Sequence, residues 1–336
     1  MTIEVIVGLP HLAQGPILAR AKALQVPTLI SANALSRWTA RRGWREWQGF
    51  ALEPLRNAEG LKSVDLDSAG FSAMRAYGGF PWSTDQYMAL AAAFPFRRFA
   101  SLDYCCEPEI AHDREEVLDR LSRTIRANRD CRERACDLGI LERFMPVIQG
   151  RIAADYERCL DALSLSVVPG AVIGVGSMCR RDLPGSEGLV AIFEHLHRIL
   201  PAGVRLHGFG VKGAALPYLA AFGNRVASID SQAYGIAARQ MALRQGTAKT
   251  DALVADCLEQ WLHRQIARLR EPSIRLARSA EPFRAPPPAS DWEKAISMAR
   301  QQIRDLIESG DLDHHEITDG WIEQWAADLY RERVAA

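Results

Sequence analysis

The sequence lacks any apolar run of the ~18 residues that cross a bilayer. Its first residues, MTIEVIVGLPHLAQGP, also lack the basic lead and long apolar stretch of a secretion signal. We therefore expect a cytoplasmic protein without a membrane partner. The seven cysteines are scattered and none forms a Cys-x-x-Cys pair, so their spacing predicts neither a disulfide framework nor a structural zinc site.

Net charge is also absent, because 41 basic residues balance 41 acidic ones among 336 residues. Without a global positive field, a nucleic-acid partner would need a local basic patch. One such stretch contains Trp38, Trp44 and Trp47 with arginines between them. It fits either base stacking with phosphate contact or an amphipathic helix packed on the fold.

Eight short apolar runs alternate with helical patterns along the chain. Such runs are typical of parallel strands covered by helices on the outside. The alternation favours a closed (β/α)₈ TIM barrel over a doubly wound sheet. We expect a barrel catalytic domain over residues 1–245 and a helical extension over 246–336, with a proline-rich connector at 281–290. The predicted strands are 4–9, 28–31, 63–67, 99–103, 144–149, 171–176, 205–210 and 226–230.

Acidic and amide residues stand at the ends of four predicted strands: Asp67, Asp103, Gln149 and Asp230. In a barrel these ends meet at one mouth. One carboxylate there can attack a carbon while another transfers a proton, and an Asp with a Gln can bracket the edge of a purine. Asp65 faces the same side as Asp67 but lies deeper, so we expect it to have a buried structural role.

Glycines mark the turns after the sixth and seventh strands, in the segments Ile-Gly-Val-Gly-Ser (173–177) and His-Gly-Phe-Gly (207–210). Glycine lets the backbone approach a flat ligand closely. Taken alone, either segment fits an ordinary turn equally well.

The order Asp-Ser-x-Gly-Phe, Leu-Asp, Ile-Gln-Gly, Ile-Gly-x-Gly, His-Gly-x-Gly, Ile-Asp resembles the tRNA-guanine transglycosylase superfamily over residues 63–235. The resemblance implies that Asp230 attacks the ribose C1′ to form a covalent nucleoside intermediate, and that Asp67 is the general acid and base. The remaining matches would bind the base: Asp103 and Gln149 through their side chains, Gly174 and Gly176 through the backbone, and Phe71 and His207 as walls of the pocket.

The sequence departs from the tRNA enzymes of that superfamily. Only Cys257 follows Asp230, so their zinc subdomain is missing, and Ala69 and Ser72 replace a glycine and a glutamine of the first turn. These losses favour the DNA-acting, DpdA-like branch, which exchanges guanine for a 7-deazaguanine such as 7-cyano-7-deazaguanine. We expect no cofactor and no metal. The expected partners are DNA, the 7-deazaguanine base and accessory DNA-processing proteins. The alternatives are a tRNA substrate or a non-catalytic barrel that binds nucleic acid.

Three basic residues near the mouth, Arg180, Arg181 and Lys212, are the predicted contacts for the nucleic-acid backbone. Arg97 and Arg98 are further candidates, although exposed arginine is common on any surface. A target base inside a duplex would have to be extruded to reach a barrel mouth.

Overall fold

The computed structural model describes residues 3–41, 44–274 and 290–335, so the predicted connector at 281–290 lies almost wholly outside the described residues. The strands are β1 (Glu4–Leu9), β2 (Pro27–Ser31), β3 (Ser36–Arg41), β4 (Trp44–Phe50), β5 (Ser63–Asp67), β6 (Phe99–Ala100), β7 (Phe144–Met145), β8 (Val147–Ile148), β9 (Val172–Val175), β10 (Arg205–Gly208) and β11 (Val226–Ser231).

All strands except β3 and β4 form one sheet, in the order β7-β6-β5-β2-β1-β11-β10-β9-β8. Every pairing in it is parallel. Strands β7 and β8 are two halves of one strand on either side of Pro146, so both ends of the order are the same strand and the sheet closes. The predicted (β/α)₈ barrel is confirmed.

The helices that surround the barrel are α1 (Pro16–Leu24), α2 (Gly70–Tyr77), α3 (Thr84–Ala92), α4 (Arg114–Asp137), α5 (Ala153–Ala162), α6 (Leu189–Ile199), α7 (Leu216–Leu219), α8 (Ala233–Gln245), α9 (Asp251–Arg268), α10 (Asp291–Ser309) and α11 (Asp319–Ala335). Helix α4 illustrates why they form. Asp113 caps its first turn by accepting from two backbone N–H groups, and Val117, Leu121 and Ile125 form a buried stripe.

A side chain supports the strand that Pro146 interrupts, at the point where the barrel closes. Proline has no N–H and interrupts the ladder of strand hydrogen bonds. Asn128 of α4 compensates, because its Nδ2 donates to the Val147 carbonyl and its Oδ1 accepts from the Val147 N–H, each at 2.9 Å. The hydroxyl of Ser101 also donates to the Asn128 Oδ1 at 2.7 Å. A polar residue on the buried face of α4 thus holds the broken strand in place.

The C-terminal helices attach to the barrel in two ways. Val254, Leu258 and Trp261 of α9 belong to the same apolar core as the barrel strands, and α9 packs on α1 and α8. Helices α10 and α11 share a small cluster of alanines and attach to α4 through Arg304, which pairs with Asp119 at 2.6 Å. The domain boundary after residue 245 stays a prediction. Among the helices that the structure describes, none is both long and apolar enough to span a bilayer.

The basic aromatic stretch after β2 is an antiparallel hairpin of β3 and β4, so its interpretation as an amphipathic helix was wrong. Trp38 and Trp47 are cross-strand partners. Trp38 stacks on Tyr77 with ring centroids 4.5 Å apart, and Trp47 packs against Trp82. Alternating large residues suit a pleated strand, and the two indoles pack on the protein's own aromatic side chains.

The end of the barrel opposite the mouth contains a buried ion cluster. Asp65 is 1% exposed and accepts from both Arg97 and Arg98, while Arg97 also pairs with Glu4 at 2.8 Å. A buried carboxylate needs such partners. The structural role expected for Asp65 agrees with this geometry. Arg97 and Arg98 are far from the mouth, so they are not contacts for a nucleic-acid backbone.

Candidate active site

The carboxyl ends of the strands surround a cavity of about 220 Å³. Parallel strands that close into a barrel bring these ends to one face, which is why residues distant in sequence meet there. The structure places Asp67, Asp103, Gln149 and Asp230 together around this one cavity. Its wall also contains Phe71, Glu107, Gly176, Ser177, Cys179 and Gly210.

Asp103 and Gln149 are held by a continuous set of hydrogen bonds. Asp103 accepts from the Ser68 hydroxyl and from the Gln149 amide nitrogen. The Gln149 oxygen accepts from the Ser177 hydroxyl, which accepts in turn from the Cys106 backbone N–H at 2.7 Å. Burial raises the pKa of Asp103 to about 6, although the bonds from Ser68 and Gln149 oppose the rise. Both groups are therefore oriented before any ligand arrives.

Asp67 is the last residue of strand β5 and lines the cavity. Its Oδ2 accepts from the Ala69 backbone N–H at 3.1 Å. Burial raises its pKa to about 7, and the charges of Asp103 and Asp230 add to the rise. A carboxyl group with such a pKa can both hold and release a proton at neutral pH.

The turn after Asp67 keeps a conformation that normally needs glycine. Ala69 has φ 72°, in the left-handed region, which costs a residue with a Cβ about 1–2 kcal/mol. The following position, 70, requires glycine, because a Cβ there would lie 2.4 Å from the carbonyl oxygen of Asp103. The alanine that replaces the family's glycine thus leaves the turn intact.

Asp230 near the end of β11 has a different environment from Asp67. Its Oδ1 accepts from the Gly210 backbone N–H at 3.0 Å, and the His207 Nε2 lies 3.4 Å from the same oxygen. Gly210 has φ 62°, and a Cβ on it would lie 2.1 Å from the sulfur of Cys179. Glycine at 210 is therefore needed both for the turn and to avoid a clash with Cys179.

Two residues predicted to bind the base do not line the cavity. His207 is 1% exposed and lies behind Asp230, with its Nδ1 2.8 Å from the Ser228 hydroxyl. Gly174 packs under Phe209, where a Cβ would lie 2.5 Å from the ring. By contrast, Gly176 does line the cavity, and a Cβ there would lie 2.1 Å from the Gln149 amide nitrogen.

Arg181 is not available to a nucleic-acid backbone, contrary to the sequence prediction. It is fully buried, and its guanidinium donates to the carbonyls of Gly150, Arg151, Ser177 and Glu187 and to the Tyr156 hydroxyl. A guanidinium with all of these acceptors is a structural tie between loops. Arg180 precedes it in the sequence and is partly exposed, and the sequence does not distinguish the two arginines.

Arg180 and Lys212 lie at the rim of the mouth. The Arg180 guanidinium carbon lies 5.3 Å from the centroid of Phe71, and the guanidinium pairs with Glu109. Lys212 is exposed on the loop after β10. Both remain predicted contacts for a nucleic-acid backbone.

Sequence reasoning missed Glu107, which lines the cavity and is 4% exposed. The signal was available, because the residue follows Asp103 by four positions in the same loop. Ser68 and Ser177, which orient Asp103 and Gln149, were also missed, since a serine beside a turn glycine has many ordinary roles.

A closed barrel with carboxylates and an amide around a mouth cavity has the layout that barrel enzymes use for their active sites. The chain belongs to the DpdA family, described as DeoxyPurine in DNA protein A, whose model matches residues 54–295. The match contains every cavity residue from Asp67 to Asp230, and it confirms the predicted DpdA-like resemblance.

Other comparisons are more distant. The curated proteins contain no significant sequence match. Among solved structures, the YdjI aldolase from Escherichia coli K12 is similar with a TM-score of 0.47 and 11% identity, over 80% of this chain and 91% of the aldolase. A native KDPGal structure has a TM-score of 0.39 and 11% identity, over 80% of this chain and 98% of that one.

Proposed function

We propose that this protein is a DNA guanine transglycosylase, which exchanges guanine in DNA for a 7-deazaguanine such as 7-cyano-7-deazaguanine. One observation carries the proposal: Asp67 and Asp230 line the same cavity as Asp103 and Gln149. The family description supplies the deoxypurine and the DNA. The reaction needs only these side chains, a DNA strand and the incoming base.

In the first step, a carboxylate oxygen of Asp230 attacks C1′ of the target deoxyribose. The C1′–N9 bond breaks, and guanine leaves with a proton supplied by Asp67. This step needs one carboxyl group ionised as the nucleophile and another protonated as the acid. Gly210 fixes the attacking carboxylate, while burial gives Asp67 a pKa of about 7 and so a proton to donate.

In the second step, the incoming 7-deazaguanine gives its N9 proton to Asp67. N9 then attacks C1′ and displaces the Asp230 carboxylate. The proton that Asp67 lost is thereby recovered, so the exchange is balanced without a cofactor. Two displacements at C1′ leave the new base in the configuration of the old one.

The size of the cavity suits one base and excludes a base pair. At about 220 Å³ it is smaller than the 300–1,000 Å³ typical of pockets for drug-sized ligands. The sugar and phosphates would stay outside, at the rim that contains Arg180 and Lys212. The target guanine would therefore have to leave the duplex, at a cost of a few kcal/mol.

The test is incorporation of labelled 7-cyano-7-deazaguanine into guanine-containing DNA, with the covalent adduct detected on a denaturing gel. We expect the wild-type protein to give both signals and Asp230→Ala to give neither. Asp67→Asn should slow adduct formation by about 100-fold or more, since general acid catalysis contributes about 10²–10⁴. Asp161→Asn, on the exposed surface of α5, is the matched control and should behave as wild type.

Two results would overturn the proposal. Label that enters DNA equally with Asp230→Ala would remove the covalent role of that residue. Incorporation into tRNA but not into DNA would overturn the choice of substrate.

A further inference from the structure

Glu107 is a buried carboxylate in the cavity wall to which the exchange reaction gives no role. It is 4% exposed, and its Oε2 has no hydrogen-bond partner among the residues that the structure describes. It lies in the same loop as Asp103 and borders the same cavity. Burial raises its pKa. Since a buried polar atom without a partner destabilises a fold, a free acceptor at this point suggests a ligand that completes it.

No neighbouring cation takes that free oxygen. Arg180, Arg181 and Arg151 are close enough to lower the pKa of Glu107, yet none of them donates a hydrogen bond to its Oε2. Arg181 donates to backbone carbonyls and to a tyrosine hydroxyl, Arg180 pairs with Glu109, and Arg151 is also ion-paired. The backbone N–H of Arg180 is also close enough to lower the pKa of the Glu107 carboxyl. Among the described residues, Oε2 of Glu107 has no hydrogen-bond partner and is left for the cavity.

The acceptors in the cavity differ in how much bonding capacity remains. Asp103 already accepts from Ser68 and Gln149, and the Gln149 oxygen accepts from Ser177. The pyrimidine edge of guanine presents its donors side by side, at N1–H and the 2-amino group. An ionised carboxylate has about four acceptor positions, and Asp103 already uses two of them, whereas this edge of the base has three N–H bonds, one at N1 and two on the 2-amino group. A second acceptor is therefore needed for the 2-amino group.

We propose that Glu107 is a specificity-determining residue, whose free Oε2 accepts a hydrogen bond from the 2-amino group of the base. The inference rests on the proposed base exchange. Glu107 and Asp103 together then read the donor edge that guanine and 7-deazaguanine share. A purine without the 2-amino group leaves the buried carboxylate unpaired and is rejected for that reason.

The test compares labelled guanine with labelled hypoxanthine, which lacks the 2-amino group, as incoming bases on one DNA duplex. The quantity measured is the ratio of their kcat/KM values. We expect wild type to prefer guanine. Glu107→Met, which is close in size but has no acceptor oxygen, should lower that ratio about 10- to 100-fold, as loss of a hydrogen bond to a charged group predicts. Glu107→Gln keeps an acceptor oxygen and should retain most of the preference.

Thermal unfolding separates this role from a structural one. Because Oε2 makes no hydrogen bond within the described residues, Glu107→Met should have a Tm close to that of wild type. Glu157→Met, on the outer helix α5, is the matched control and should keep both the wild-type ratio and the wild-type Tm.

The outcomes are distinguishable. If wild type incorporates neither base, the proposed exchange itself fails. If wild type prefers guanine and Glu107→Met keeps the same ratio, the exchange stands and the role of Glu107 is overturned. A lowered Tm with an unchanged ratio would also assign Glu107 to structure alone.

Discussion

Replacing Asp67 by asparagine should stabilise the protein at pH 8 and change little at pH 4. Burial, with the charges of Asp103 and Asp230, raises the pKa of Asp67 from its ordinary value of 3.8 to about 7. Between pH 3.8 and about pH 7, Asp67 keeps its proton in the folded protein but has lost it in the unfolded chain. The free energy of unfolding therefore falls as the pH rises through this window. At about 1.4 kcal/mol for each tenfold change in acidity, the full cost is about 4 kcal/mol above pH 7.

Asparagine cannot ionise, and its oxygen can still accept from the Ala69 N–H. Because Asp67 is only partly buried in the folded chain, we expect a gain in unfolding free energy of about 2–4 kcal/mol at pH 8. At pH 4 the gain should be below about 1 kcal/mol. With about 2.1 cal/mol/K of unfolding entropy per residue, 336 residues turn the gain at pH 8 into a rise in Tm of about 3–6 °C. Calorimetric unfolding at intervals from pH 4 to pH 8 measures it.

Asp65→Asn is the matched control on the same strand and the same face. Asp65 pairs with Arg97 and Arg98, so this variant should lose about 3 kcal/mol at pH 8. A general effect of replacing Asp by Asn would change the free energy of unfolding in the same direction at both positions, whereas we expect opposite changes. The reasoning is refuted if Asp67→Asn gains nothing at pH 8, or if it gains equally at pH 4 and pH 8.

Two further predictions concern Gly210 and Arg181. Gly210→Ala should lose about 2–4 kcal/mol in urea unfolding and most adduct formation, because it strains the backbone, crowds the Cys179 sulfur and displaces the N–H that holds Asp230. Adding Cys179→Ala should recover part of the stability, and an unchanged urea midpoint in the single variant would contradict the geometry. Arg181→Met should lose about 3 kcal/mol of stability yet leave the salt dependence of DNA binding unchanged, whereas Lys212→Ala should reduce that log–log slope by about 1. A reduced slope for Arg181→Met would show that its burial is not maintained with DNA.

The barrel and four of the polar side chains around its mouth were predictable from local patterns. A strand buried on both sides must be apolar along its length, so eight such runs between helical patterns are visible without knowing their partners. Once the strands are parallel and closed, residues at their carboxyl ends share one face. Asp67, Asp103, Gln149 and Asp230 could therefore be grouped before any contact was known.

Only the tertiary structure decided which side chains near the mouth face the cavity. Arg181 is buried because carbonyls from Gly150 and Glu187 surround it, and no pattern around residue 181 records those acceptors. In the same way, His207 supports Asp230 from behind, and Asn128 holds the strand that Pro146 interrupts. Periodicity reports which side of its own strand or helix a residue lies on. The partner of a polar group comes from another part of the chain, and packing alone brings the two together.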